Sequence, residues 1–377
     1  MIRCTVFTEP ENVLKYHDVW DELFHARDHE VSTSFEWTDA LLATHLEPLD
    51  RFILLVLEDS ERVLGLLPLV IRETKRYGMS IRRLFPISEI YNTHSDILLR
   101  AVSDEIAHTL LKNLFALNVK WDIFRMDRLV RTGPLLSALH RALSVLPADY
   151  RTDNHEPSFF VRLGDSYEAY LKKRSSKFRN HLKRTEKKMT AKGRLAFTKL
   201  RSPETVASAY DTLLDIETRS WKHPHGTAIT SVQKQRRFYQ MLCESTHKRA
   251  WLHLSFLTLA DQPIAYNLGL VTNSRYAYLK TSYDEQLRPL SPSTILRARL
   301  IEDLISQKVD VLDFPAEPYE WERQWTDDVQ WHTTLLVYNK TPVAKLTRAY
   351  NSLRRILTRR TDATKLRYHD PHDLKPS

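Results

Sequence analysis

The chain has 377 residues, 42% of them apolar and 27% charged, enough for two domains of ordinary size with cores of their own. No apolar run reaches the roughly 18–20 residues of a membrane helix. The N-terminus shows no secretory pattern, and the two cysteines, Cys4 and Cys243, cannot build a disulfide framework. A cytoplasmic enzyme or binding protein is the class that remains. The net charge of +9 comes from 56 Lys/Arg and 47 Asp/Glu, but residues 345–377 hold nine Lys/Arg against three Asp and so supply +6. The body is therefore near balance, which weakens any inference from charge to a nucleic-acid partner.

Helical periodicity covers Glu11–Arg27 and Phe35–His45. "RFILLVLE" and "RVLGLLPLVIRE" flank Asp59-Ser60-Glu61 and read as a hairpin. A strand at 95–99, an amphipathic helix at 103–117, a strand at 121–126, a helix near 134–145 and a strand at 158–163 follow. The second half repeats this plan. Helices at 205–221 and 231–244 precede "AWLHLSFLTL" and "PIAYNLGLVT", joined by a turn at Asp261-Gln262, then "RYAYLKTSY", a helix at 293–307 and "VDVLDF". The polar, proline-flanked stretch 146–157 marks the boundary. We therefore expect an α/β fold of two tandem units at 1–150 and 151–340, each a mixed, mainly antiparallel sheet flanked by helices. A basic helical tail at 341–377 completes the expected division.

Only seven glycines occur, and neither G-x-G-x-x-G nor G-x-x-x-x-G-K is present, so the common nucleotide folds are poor candidates. G-x-S-x-G and H-E-x-x-H are absent too. His223 and His225 sit in a loop with no further ligands in sight, and no metal is expected. The densest basic run, Lys172 to Lys188, has nine Lys/Arg and one acid, Glu186. Tyr170, Phe178, Leu182 and Met189 fall on one face of it, as in an amphipathic helix.

"YDEQLRPLSPSTILRARL" (283–300) turns from a strand into a helix through Ser291-Pro292-Ser293. Ser291 or Ser293 can cap that helix, and Pro292 suits its first turn. The helix dipole, the free amides and Arg288 would favour a phosphate there. The matching start in the first half, Ser103-Asp104-Glu105, puts two carboxylates at the helix end, and no phosphate site is expected.

These segments together resemble the tandem-GNAT acetyltransferases of the CelD-like family, relatives of the Fem peptidyltransferases. The resemblance is carried by "SFEW" (34–37), "VLGLLPLV" (63–70), "YLKKRSSKFRNHLKR" (170–184), "QPIAYNLGL" (262–270), "YLKTSYDEQLRPLSPSTIL" (278–296) and "LDFPAEPYEWERQW" (312–325). The family often has "DFGRG" and a Tyr-Lys pair, where this chain has Asp313-Phe314-Pro315-Ala316-Glu317 and then Tyr319-Glu320. The resemblance implies an acyl-CoA-dependent N-acyltransferase, with the amino group of a sugar, glycan precursor or small metabolite as acceptor and polysaccharide biosynthesis as a context. It implies that Arg288, Ser291, Ser293, Thr294 and Arg297 hold the CoA.

Transfer from a thioester to an amine needs positioning, a base and a stabilised oxyanion. Asp313 or Glu317 is the expected base or amine-binding carboxylate, with Tyr283 as acid and Asp284 beside it, all converging on one mouth. Tyr319, Trp321 and Trp325 are the expected acceptor pocket. Two other functions fit less of the pattern. One is a Fem-like transferase using aminoacyl-tRNA, and the other is a non-catalytic scaffold whose basic tail docks to nucleic acid or an acidic membrane.

Overall fold

A computed structural model describes residues 2–76, 78–91, 93–200, 205–315 and 319–359, with the backbone alone at 154–155 and 354–359. The chain forms two compact units. The first contains residues 1–35, 47–157 and 331–377, and the second contains 36–46 and 158–330.

In the first unit β1 (Arg3–Phe7), β2 (Arg51–Glu58), β3 (Val63–Arg76) and β4 (Met79–Pro86) pair antiparallel in sequence order. A two-residue strand, β5 (Leu98–Leu99), joins β3. Helix α3 (Asp104–Phe115) then carries the chain to β6 (Ile123–Val130), which lies parallel to β4 at Arg83↔Ile123 and Leu84↔Phe124. Alternate residues of β2 and β3 bury Ile53, Leu55, Leu67 and Leu69 against α3 and α4 (Pro134–Val145). Each such side chain contributes roughly 1.5–3 kcal/mol on burial. Helix α1 (His17–Ala26) buries Trp20, Leu23 and Phe24.

Several features depart from the sequence expectation, among them the strand expected at 95–99, which is only Leu98–Leu99. Strand β4 was not anticipated, because Arg82 and Arg83 break its apolar pattern; Arg82 is held by the buried Asp122 at 2.7 Å. Strand β7 (Asp149–Arg162) runs through the stretch expected as a linker. Strand β13 (Val329–Tyr338) pairs antiparallel with β6, so residues 331–340 pack in the first unit although they were expected to end the second. Helix α10 (Pro342–Arg359) follows, and residues 360–377 of the expected tail lie outside the described residues.

The second unit orders its strands β7, β12 (Val311–Asp313), β11 (Arg275–Tyr283), β10 (Gln262–Thr272), β9 (Leu252–Leu259) and β8 (Leu195–Lys199). One helical layer contains α5 (Tyr167–Lys172), α6 (Ser176–Thr190) and α9 (Pro292–Ser306). Their apolar faces meet Leu257, Ala265, Tyr276 and Leu312 of the sheet. The basic run thus forms α6, with Phe178, Leu182 and Met189 buried and Lys183, Arg184, Lys187 and Lys188 exposed, as its periodicity predicts. Helix α7 (Val206–Thr218) covers β10 and β11, and α8 (Gln233–Lys248) packs beside it and against β9, as a second layer. Helix α2 (Phe35–His45), far away in sequence, belongs here too: Trp37 meets Phe238 of α8 edge-on at 5.2 Å, and Glu36 pairs with Arg249 at 3.5 Å.

Candidate active site

Strands β11 and β12 pair in parallel over only three residues, Arg275↔Val311 to Ala277↔Asp313. Beyond that point they part. The Phe314 amide turns to the Phe159 carbonyl (3.1 Å), on the β7 side, while β11 continues six residues to Tyr283. Next to the parting, the β10–β11 register slips: Gly269 faces Tyr278 and Leu268 faces Lys280, leaving Leu279 as the extra residue of a bulge. A bulge unpairs backbone groups and re-aims the side chains that follow. Gly269 is required there, because an added Cβ would lie 2.2 Å from Cζ of Tyr276. The Tyr276 hydroxyl donates to Oδ1 of Asn267.

The far end of β11 leads into the expected turn. Asp284 caps a short 3-10 helix, Glu285–Leu290, by accepting from the Gln286 amide at 3.0 Å, and it also pairs with Arg219. Ser291 then adopts a left-handed conformation (φ 48°, ψ 56°), a strained choice for a residue with a Cβ, costing on the order of 1–2 kcal/mol. Ser291 does occupy the N-cap position of α9, but its hydroxyl makes no capping bond, and no acid lies in the first turn. Ser293 and Thr294 are half-buried there. Arg288 is well exposed and, among the described residues, pairs only with Glu285, at 3.4 Å. The first unit shows the opposite arrangement: Ser103 Oγ accepts the Ile106 amide at 3.2 Å, with Asp104 and Glu105 in the first turn of α3.

Among the described residues, Asp313 does not converge with Tyr283 and Asp284. Asp313 is level with Ala277, so Tyr283 and Asp284 lie roughly 20 Å further along β11. The parallel register, which sets Asp313 beside Ala277, is the cause. Asp313 is 2% exposed and takes an ion pair from Arg275 at 3.1 Å. Burial and the nearby Glu285 raise the pKa of Tyr283. Glu317 lies outside the described residues.

The expected acceptor aromatics and Arg297 are brought together, mostly out of reach of solvent. The Arg297 guanidinium stands 3.7 Å from the centroid of Trp321 and 5.3 Å from that of Trp325, and it donates to the Tyr278 hydroxyl at 3.2 Å. Trp325 is buried against Phe178. Arg297 is therefore held inside the α9 layer by cation–π contacts rather than presented at the turn. Tyr319 alone of the three aromatics is well exposed, stacked on Trp321 at 6.2 Å.

Sequence reasoning missed the polar cluster under α7 and α8. Glu217 is fully buried; it accepts from Tyr266 Oη (2.5 Å), Lys222 Nζ (3.1 Å) and the Ile229 amide (2.9 Å). Lys222 also donates to the Thr281 carbonyl at 2.5 Å, pinning the 221–227 loop to β11. Lys280, the first residue after the bulge, reaches the same cluster. No periodicity distinguishes Glu217 or Lys222 from the surface charges around them.

Residues 176–323 match the family model of the acetyltransferase (GNAT) domain. The second unit thus carries a GNAT domain, and the protein is an acyltransferase. Along 91% of its length the chain is similar to FemX, covering 99% of that chain at 10% identity with a TM-score of 0.60. It is also similar to the C-terminal domain of a putative lysylphosphatidylglycerol synthetase from Agrobacterium fabrum (11% identity, 90% of this chain, 97% of that one, TM-score 0.57). A conserved protein of unknown function from Bacteroides thetaiotaomicron gives 10% identity over 90% and 100% of the two chains, with a TM-score of 0.54. These likenesses are of fold. No curated protein sequence matches the chain. No helix among the described residues is long and apolar enough to cross a membrane.

Proposed function

We propose that the protein is an acyl-CoA-dependent N-acyltransferase of the CelD-like kind, with its donor site in the second unit. The carrying observation is the pairing of two features along one stretch of chain: the parting of β11 from β12 beside a bulge, and, after β11 ends at Tyr283 and the short 3-10 helix is passed, the N-terminus of α9 without a side-chain cap. The first exposes backbone amides that can polarise a thioester carbonyl. The second offers free amides and a positive dipole end to a pyrophosphate.

In this reading Ser293, Thr294 and the exposed Arg288 meet the pyrophosphate, while Ser291 shapes the turn through its backbone. Tyr283 and Asp284 stand at that same end, which suits donor binding better than proton transfer. Asp313, shared with Arg275, orients groups at the fork, and Arg297 stiffens the α9 layer. Exposed Tyr319 offers a face on which a sugar acceptor can stack. An amine of a sugar, glycan precursor or small metabolite is the acceptor class, with polysaccharide biosynthesis as a context.

One observation favours a second donor. The exposed lysines and arginines of α6 would suit aminoacyl-tRNA, as in the Fem-like alternative. A thermal-shift comparison separates the two. Acetyl-CoA and CoA are expected to raise Tm by an amount that grows as RT ln(1 + [L]/Kd). Ser293→Glu, which sets a carboxylate against the pyrophosphate, should weaken this by about 1 kcal/mol, near fivefold in Kd. Stabilisation by aminoacyl-tRNA at moderate salt, with none by CoA, would select the second donor.

A further inference from the structure

The geometry points to Lys280 as a site that is itself acylated by acyl-CoA when no other acceptor is bound. This inference rests on the reading of the second unit as the donor site. Lys280 follows the β11 bulge, beside the fork where that reading puts the thioester, and its side chain lies under α8, with the ammonium 5.5 Å from the ring centroid of Tyr239. Among the described residues no carboxylate or carbonyl accepts a hydrogen bond from its Nζ. The one carboxylate in the cluster, Glu217, is already committed to Tyr266, Lys222 and the Ile229 amide. The neighbouring cation Lys222 is held by Glu217 and the Thr281 carbonyl.

A lysine so placed differs from the exposed lysines of α6. Burial, and then the adjacent charge of Lys222, lower its pKa to about 8, the more distant Glu217 opposing only in part. A substantial fraction of the side chain is then the neutral amine near pH 8, whereas a surface lysine is almost wholly protonated. Neutral amine is the form that attacks.

The step balances without any further reactant. The Nζ lone pair adds to the thioester carbonyl carbon, the C–N bond forms, and the carbonyl electrons return as the C–S bond breaks. The sulfur leaves as CoA thiolate, and the proton shed by the nitrogen goes to the thiolate or to water. Nothing is oxidised or reduced.

The test needs no knowledge of the natural acceptor. The full chain is incubated with acetyl-CoA alone, and acetylated peptides are mapped by mass spectrometry over a range of pH. A parallel sample receives acetyl phosphate, which acetylates lysines without a CoA site. Acetyl-CoA is expected to modify Lys280 at least tenfold faster than the α6 lysines, with a rate that rises as pH passes about 8 and then levels. Excess CoA should suppress that modification, and acetyl phosphate should show no such preference. Lys280→Arg should remove the fast phase, while Lys15→Arg, in the first unit, leaves it. If CoA stabilises the chain but Lys280 stays unmodified, or reacts no faster than surface lysines, the inference is overturned and the donor site stands. If neither acetyl-CoA nor CoA stabilises the chain, the donor site fails and the inference falls with it.

Discussion

Lys280 also tests the energetics of the cluster at the level of a single residue. Its pKa is about 8 in the folded chain against 10.5 for an unperturbed lysine. The unfolded chain therefore binds more protons between these values, and stability rises with pH across that window. Below about pH 8 the folded state bears the full cost of the buried ammonium, on the order of 3 kcal/mol. Lys280→Met should accordingly raise Tm by a few degrees at pH 7, with the gain fading toward pH 10.5. A gain that is the same at both ends of the window would show that packing, not charge, sets the effect. Sequence alone could not have found this residue. A lysine in "RYAYLKTSY" reads as the solvent side of a strand, and only the bulge at Leu279 re-aims it under α8. Asp313 was legible because it ends an apolar strand, but its partner Arg275 and its separation from Tyr283 follow from strand register, which no local pattern records.

Among the elements, α9 was the most readable and its cap the least. Proline at the first turn and the apolar spacing of Ile295, Leu296, Ile301 and Leu304 set its start and buried face. The left-handed Ser291 carries no sequence signal, since glycine or asparagine is the usual occupant of that conformation. Strand β4 hid its strand character behind Arg82 and Arg83, and α2 gave no hint that it packs with α8 rather than with its sequence neighbours. The β10–β11 bulge can be probed directly. Gly269→Ala would drive a methyl into the Tyr276 ring, which is buried and tethered to Asn267. A loss of about 2–3 kcal/mol in urea unfolding is expected, together with loss of CoA stabilisation. A neutral substitution would mean that the close approach of glycine and ring is not needed for the bulge.

For the molecule as a whole, the architectural repeat was legible in part: a hairpin, a third strand, a helix and a parallel return strand occur in both units, but in the first the third strand is β4, while the strand expected at 95–99 is reduced to Leu98–Leu99. What separates the units is the chemistry at the helix that follows the third strand. In the first, Ser103 caps α3 and two acids crowd its start; in the second, α9 begins with neither. Hydrogen–deuterium exchange with and without saturating acetyl-CoA reads both helix starts in one sample. Slower exchange in β11 from Tyr278 to Tyr283 and in the first turn of α9, with the first turn of α3 unchanged, is the predicted result. Protection at α3 instead, or none at β11 and α9 in a chain that acetyl-CoA demonstrably binds, would contradict the assignment of the donor site.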